Sequence, residues 1–412
     1  MIGFRRRRAP RPIALYGLIG SGNVGNDASF ETALDWLGTQ DPEREVWCIT
    51  PAVEEVRSRY GVRAVPLSWR GASGRVPGPL RALARIVERI VDVPRSWLMA
   101  GSVGAVVVPG MGVFEDSLGV MPWGLPLSLF LMALACRLRG REFVLLGVGA
   151  EPTANRFTRW LFVRTARLAT GLSFRDSWSA EVMREAGLRT SAATYHDLAF
   201  AHPDRTAVAP SPGLVVVGVM AYYGRRDDPA RGAAVRRAYV DTLVQALRQL
   251  LDDGARIVLV GGDAVDDDVA LEIRGLLQEG SPGLDPDRVV VSRATSFTDL
   301  SAEVAQAEVV VASRFHNVVC GLRLARPTVS VGYARKSVRL MSEVGLEEYC
   351  QNILELDADR LVAQVRSARS SGDSISLRLG EVARIWERDV RSQLARVTPE
   401  VVDHSRRHGA AT

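Results

Sequence analysis

Lysine is all but missing from this chain. Of 52 basic residues, one, Lys336, is not arginine. Cysteine is also scarce. Cys48, Cys136, Cys320 and Cys350 lie far apart and form no CxxC pair, which excludes a zinc ribbon or a disulfide framework and suits a reducing cytoplasm. No long apolar run is present. The stretch from Ile13 to Ile19 is short, is interrupted by Gly17, and is followed by no small-residue cleavage site, so no secretory signal is expected. Leu125–Cys136 runs about a dozen residues where a bilayer span needs about 20, and it predicts a buried helix. Aromatics make up 7% and are not interleaved with basic residues in the way of a nucleic-acid module. No repeat at a solenoid period is found.

What is present is an ordinary globular balance. The 412 residues are 47% hydrophobic and 24% charged, enough for two cores. Short β-branched runs alternate with amphipathic stretches, the pattern of parallel βαβ units. Strands are predicted at 13–16, 46–50, 105–108, 143–148 and 171–174, then at 214–220, 256–260, 288–291, 309–312 and 328–331. Helices are predicted at 28–37, 127–137, 157–168 and 177–186, then at 230–251, 269–278, 298–307, 317–324 and 337–344. Between the two sets lies AHPDRTAVAPSP, residues 201–212, whose three prolines and lack of periodicity read as a linker. The expected fold class is therefore α/β, with two Rossmann-like domains of mostly parallel strands facing across a cleft. The expected organisation is a basic tail (1–12), an N-terminal domain (13–200), the linker (201–212), a C-terminal domain (213–371), a C-terminal helix (372–400) and a tail (401–412). The helical stretch Leu377–Leu394 would cross back and brace both domains.

The net charge of +5 draws attention to two basic segments. Arg5, Arg6, Arg7 and Arg8 precede any strand and read either as a disordered tail or as a contact for anionic lipid. In residues 77–99, Leu80, Leu83, Val87, Ile90 and Val91 share one helical face and Arg81, Arg85 and Arg89 another. Such a helix lies at a membrane surface or packs its apolar face on the core.

Five segments carry chemistry. Tyr16–Asp27, YGLIGSGNVGND, follows a strand and precedes a helix. Its Gly20, Gly22 and Gly25 keep the spacing of a dinucleotide fingerprint, but the acid expected after the second strand is absent, so a tight turn is equally open. VPGMGVFED, residues 108–116, takes an apolar strand into Glu115 and Asp116, which either face a ligand or form a solvated acid pair. SFRDSWS, residues 173–179, sets Arg175 beside a helix N-terminus, suited to an anion or to an ion pair with Asp176. Tyr195-His196-Asp197 precedes the linker. The fifth segment is the most specific. The strand VVVAS ends in Arg314-Phe315-His316-Asn317, and Tyr333 and Lys336 follow the next strand. Arginine offers a planar fork to phosphate or carboxylate and lysine a point charge. A helix N-terminus adds exposed N–H groups.

The assembled pattern resembles the polysaccharide pyruvyl transferase family, over nearly the whole chain from Ile13 to about Leu354. Gly22-Asn23-Val24-Gly25-Asn26-Asp27 matches the family's N-x-G-D-like loop, with Asn26 as an extra residue before the acid. Ser173-Phe174-Arg175-Asp176-Ser177-Trp178-Ser179 matches S-x-R-D-x-x-S. Arg314-Phe315-His316 matches R-x-H, and Tyr333-Ala334-Arg335-Lys336 matches Y-x-x-K. Where the family has Asp-Pro, this chain has Asp197-Leu198. The resemblance implies a glycosyltransferase-B-like fold with the donor held mainly by the C-terminal domain. It implies transfer of a pyruvyl ketal from phosphoenolpyruvate to a sugar residue of a cell-surface or exopolysaccharide precursor, with no metal and no redox cofactor. In that chemistry Arg314, Lys336 and Arg175 hold the anionic donor, with Tyr333, Asn23, Gly22 and Asp116 also lining the site. His316 acts as general acid, with His196 the runner-up. Asp197 and Asp27 are the expected bases for the sugar hydroxyl. The expected partners are phosphoenolpyruvate and a glycan acceptor that is lipid-linked in many such enzymes, with no nucleic acid. The expected location is the cytoplasm, with peripheral contact at the inner membrane face. Two rivals share the motifs' setting: a glycosyltransferase using a nucleotide sugar, and a non-catalytic scaffold of a polysaccharide-assembly complex.

Overall fold

The computed structural model describes residues 10–68, 81–115, 122–204, 208–224, 229–333 and 335–403. Arg5–Arg8, Leu80 and Asp116 lie outside them, as do the side chains of Arg81, Leu83 and Arg85. The chain divides into two compact units. The first comprises residues 1–21, 26–201 and 388–412, and the second residues 22–25 and 202–387.

In the first unit the order is β1 (Ile13–Tyr16), α1 (Val24–Gln40), β2 (Val46–Thr50), α2 (Val53–Tyr60), β3 (Arg63–Pro66), α3 (Arg81–Ser102) and β4 (Ala105–Pro109). Then come α4 (Leu125–Leu138), β5 (Glu142–Val148), α5 (Arg156–Leu168), β6 (Gly171–Phe174), α6 (Ser177–Glu185) and β7 (Ala193–Thr194). The sheet runs β3-β2-β1-β4-β5-β6-β7, and every pairing is parallel. Its central strands are covered on both faces, as parallel sheets require. Ile13–Leu15 and Ala105–Val108 are fully buried, which is why they read as unbroken apolar runs.

The second unit repeats the plan with β8 (Leu214–Gly218), α7 (Pro229–Asp252), β9 (Arg256–Val260), α8 (Asp267–Glu279), β10 (Val289–Val291), α9 (Phe297–Ala305) and β11 (Val309–Ala312). It continues through α10 (Phe315–Arg323), β12 (Thr328–Gly332), α11 (Arg335–Glu343), β13 (Cys350–Asn352), α12 (Ala358–Ser370) and α13 (Gly372–Thr398). Its sheet, β10-β9-β8-β11-β12-β13, is again parallel throughout. Helix α13 belongs to the second unit up to Glu387 and to the first from Arg388.

Several expectations need correction. Helix α1 begins at Val24 rather than Ala28, because Asn23 accepts the Gly25 N–H at 3.1 Å and caps it. The expected linker starts inside packed structure, since Ala201 and His202 are buried and Arg323 donates to the His202 carbonyl at 2.8 Å. Helix α4 is not fully enclosed: Leu127, Leu131 and Leu134 are only half-buried, and Leu138 is exposed. Helix α3 presents the reverse of the expected packing. It buries Glu88, Asp92 and Ser96 and exposes Val87, Ile90, Trp97 and Leu98. Ser96 and Ala100 are the small residues on its inward side, and Asp92 is engaged there by Arg89 at 2.8 Å.

Candidate functional site

In the second unit β8 and β11 are adjacent, although β9 and β10 separate them in sequence. The loops leaving β8 and β11 diverge, and in open α/β sheets this is where a crevice opens at the carboxyl edge. The chain leaving β11 supplies Arg314, which sits in extended conformation ahead of α10. Its Nε and Nη2 donate to the two carboxylate oxygens of Asp266 at 2.9 and 2.6 Å. Asp266 is wholly buried and also accepts the backbone N–H of Ala221 at 2.8 Å and of Gly262 at 3.1 Å. One carboxylate thus ties the loops after β8 and β9 to the arginine after β11. Burial alone would lower the Arg314 pKa, and its pairing with Asp266 more than offsets this, so the pKa is raised. Nη1 makes no hydrogen bond among the described residues, and its two donors remain for a ligand.

His316 stands two residues further on, in the first turn of α10. Its imidazole rests against the backbone of Gly25, so closely that a Cβ there would fall 1.8 Å from Nδ1. Gly25 belongs to the tetrapeptide that groups with the second unit. Within that tetrapeptide Asn23 Nδ2 donates to Asp263 at 3.4 Å and Val24 N–H donates to the Gly262 carbonyl at 3.2 Å. Gly22 lies against Ala264. The glycine loop is therefore stitched to the carboxyl edge of β9, and the glycine that the helical spacing alone leaves optional is the one that admits a histidine ring.

Asn317 completes the edge. It is 1% exposed, and neither its side-chain nitrogen nor its oxygen has a hydrogen-bond partner among the described residues. It fits because Gly218, the last residue of β8, has no side chain: a Cβ there would lie 2.2 Å from Nδ2. A buried amide left unpaired costs about 1–3 kcal/mol per group, so this amide at the switch point marks a place for a polar ligand. Tyr333 is exposed beyond β12 and stacks on Tyr222 beyond β8, with centroids 4.9 Å apart. Lys336, half-buried in the first turn of α11, holds Nζ 5.5 Å from the centre of the Phe315 ring. Arg314, His316, Tyr333 and Lys336 thus share one edge of the second sheet, with Asn23 and Gly22 at the β9 loop.

The remaining sequence candidates are in the first unit. Arg175 is buried, 2.6 Å from Glu115, 3.6 Å from Asp197 and 3.7 Å from Asp176. Burial would lower its pKa, but these carboxylates, Glu115 foremost, raise it. The guanidinium is thus already neutralised by protein carboxylates. Asp197 is buried and accepts the Ala199 N–H at 3.0 Å. Asp27 is 1% exposed and takes the Gly20 N–H at 2.7 Å and Arg59 at 3.2 Å. Burial pushes the Asp27 carboxyl up to about 6, against the pull of Gly20 and Arg59. Both acids hold backbone and arginine groups, Asp27 through Gly20 and Arg59 and Asp197 through Ala199 and Arg175. His196 is bound to Asp389 through Nδ1 at 2.7 Å. The residues that sequence reasoning missed are Asp266 and Asn317. Neither belongs to a motif whose spacing marks it in the sequence.

Burial pushes the thiol pKa of Cys320 and Cys350 up to about 11 and of Cys136 to about 12, which removes them as nucleophiles. Among the described residues no group of three or more His, Cys, Asp or Glu is placed to hold a metal ion, and no helix is long and apolar enough to cross a membrane.

Comparison with known proteins agrees with the fold. Among solved structures, the chain is similar in fold to a UDP-GlcNAc 2-epimerase from Neisseria meningitidis, with TM-score 0.56 and 8% identity over 93% of this chain and 99% of that one. It is likewise similar to a glycosyltransferase from Rickettsia africae, with TM-score 0.56 and 12% identity over 96% and 99%. Amylovoran biosynthesis protein AmsJ of Erwinia amylovora is 23% identical over 304 residues, 69% of either chain. The model of the polysaccharide pyruvyl transferase family matches residues 23–335, a span that runs from the loop asparagine bound to Asp263 to the start of the lysine-bearing helix, and the chain belongs to that family.

Proposed function

We propose that the chain transfers a pyruvyl ketal from phosphoenolpyruvate to a sugar residue of an exopolysaccharide precursor, and that the donor binds at the carboxyl edge of β8, β11 and β12. The observation that carries this reading is the convergence of Arg314, His316, Asn317 and Lys336 on one sheet edge. Phosphoenolpyruvate carries a phosphate and a carboxylate. The Nη1 donors of Arg314, the N–H groups opening α10 and the Lys336 amine supply the cationic and dipolar complement.

Ketal formation starts with a proton delivered to the methylene carbon, C3, which becomes a methyl group and leaves C2 cationic. One sugar hydroxyl bonds to C2, the C2–O bond to phosphate breaks, and a second hydroxyl closes the ring. Of the two hydroxyl protons released, one restores the acid that protonated C3 and the other leaves on the phosphate. His316 is the proton donor in this reading, since imidazolium is an effective acid near neutrality and Gly25 fixes its ring. The Asn317 amide offers its N–H donors and its carbonyl acceptor to the bound substrate. Arg175, Asp27 and Asp197 act as positioning residues. This chemistry uses a cytoplasmic metabolite, and four free cysteines accord with that compartment.

The likeness to nucleotide-sugar enzymes in fold supports a second reading, transfer of a sugar from a nucleotide donor. Thermal unfolding with each donor separates the two: phosphoenolpyruvate should raise the melting temperature, and UDP-sugars should not. Incubation with phosphoenolpyruvate and lipid-linked glycans should then release phosphate and add the mass of one pyruvyl ketal. Stabilisation by nucleotide sugars alone, without phosphate release, would replace the first reading by the second.

A further inference from the structure

We infer that the outer face of α3, α4 and α5 is a docking surface for an anionic lipid bilayer, separate from the carboxyl-edge chemistry. These three helices pack side by side on the first unit, α3 against α4 and α4 against α5. Their outward residues combine large apolar side chains with arginines. Ile90 is 64% exposed, Leu98 67% and Leu138 65%, with Trp97 and Trp160 also exposed. Trp123 packs on Phe157 with centroids 5.1 Å apart, and Phe157 stacks on Trp160 at 5.8 Å. Exposed apolar side chains contiguous over several helices mark an interaction site, and tryptophans are the residues that settle at a membrane interface.

Charge decides which occupant fits. The three helices contain two acids, Glu88 and Asp92, and both are buried. Among the described residues of these helices the exposed charges are arginines: Arg137, Arg156, Arg159, Arg164 and Arg167. Arg139 lies over the Trp97 ring at 4.2 Å, and Arg164 beside that of Trp160 at 5.6 Å, where cation and ring are both exposed. A surface of one sign repels a second copy of itself, whereas an anionic leaflet offers both acyl chains and negative headgroups. The inverted packing of α3 has the same sense. A helix whose acids face inward and whose valine, isoleucine, tryptophan and leucine face outward is built for an apolar neighbour on its outer side.

The test is co-sedimentation of the full chain with phosphatidylcholine vesicles, with and without phosphatidylglycerol, at low and high salt. Binding should be at least about tenfold tighter with the anionic lipid and should weaken as salt rises. Ile90→Ser with Leu98→Ser should weaken it about tenfold or more, and so should Arg156→Glu with Arg164→Glu. All four positions are exposed, and an unchanged melting temperature confirms that each variant is folded. Because both variants keep Arg5–Arg8, wild-type binding by either would move the contact to that tail and overturn the inference. Failure of the parent chain to bind either vesicle would also overturn it. So would a parent dimer in sedimentation equilibrium that the Ile90/Leu98 variant dissolves, which would assign the face to a second copy.

Discussion

The imidazole of His316 lies against the backbone of Gly25, a residue of the sequence-distant glycine loop. A Cβ at position 25 would meet Nδ1 at 1.8 Å and Cγ at 2.1 Å, so any side chain there evicts the ring. Gly25→Ala should therefore lower turnover about as much as His316→Gln, roughly 10²–10⁴-fold if His316 is the acid, while donor affinity changes little. Steady-state kinetics with phosphoenolpyruvate, beside donor titration by calorimetry, checks this. Near-normal turnover in both variants would remove His316 from the proton-transfer step.

Arg314 and Asp266 form a two-point pair with one wholly buried partner. Arg314→Ala strands that carboxylate and should cost about 3–5 kcal/mol of stability, beyond any loss of donor binding. Adding Asp266→Asn should recover much of the stability and none of the binding. Denaturant unfolding of the single and double variants separates the two effects.

Gly218→Ala should displace Asn317, whose Nδ2 would lie 2.2 Å from the new Cβ. The expected cost is about 1–3 kcal/mol in stability and about tenfold in donor affinity. Combining it with Asn317→Ala should relieve the clash but leave donor binding weak, a non-additivity readable in a double-mutant cycle.

The Asp27 carboxyl, raised to about 6 by burial, sets a pH dependence of known sign. A folded pKa above the unfolded value of about 3.9 means that the folded state holds the proton more tightly. Its contribution to stability is fully present below about pH 4 and is lost as pH rises through 6. Asp27→Asn should thus be nearly neutral at pH 4 and relatively stabilising at pH 7, the difference reaching about 2–3 kcal/mol. Urea unfolding of both proteins at the two pH values measures it. A difference independent of pH would place the carboxyl in its ordinary range.

The central strands were legible because parallel β-strands covered on both faces read as uninterrupted valine and leucine: VVVP, VLLGV, LVVVG and VVVA all fall where the pattern puts them. The edge strands β3, β7 and β13 were not, being two to four residues long with polar members, as edges tend to be. The spacing of Arg314, His316 and Lys336 along consecutive strand ends gave their common edge. It did not give Asp266, because periodicity cannot tell an acid that opens a helix in solvent from one that anchors an arginine. Nor did it reveal that Gly22–Gly25 groups with the second unit, since that is a contact across about 240 residues of sequence, Asn23 to Asp263. The faces of α3 misled for a related reason. A helical wheel separates apolar from polar residues but does not say which side meets the protein.

Lys336 offers a consequence for experiment. Its half-buried ammonium, set 5.5 Å from the Phe315 ring, is the sole side-chain amine in the sequence. Acylating reagents that label most proteins at many positions should here report on one side chain at the carboxyl edge of the second sheet. Protection of that amine by a bound anion can be followed by mass spectrometry of a single peptide, and reductive ¹³C-methylation would give a single lysine resonance for titrating ligands without altering any other side chain.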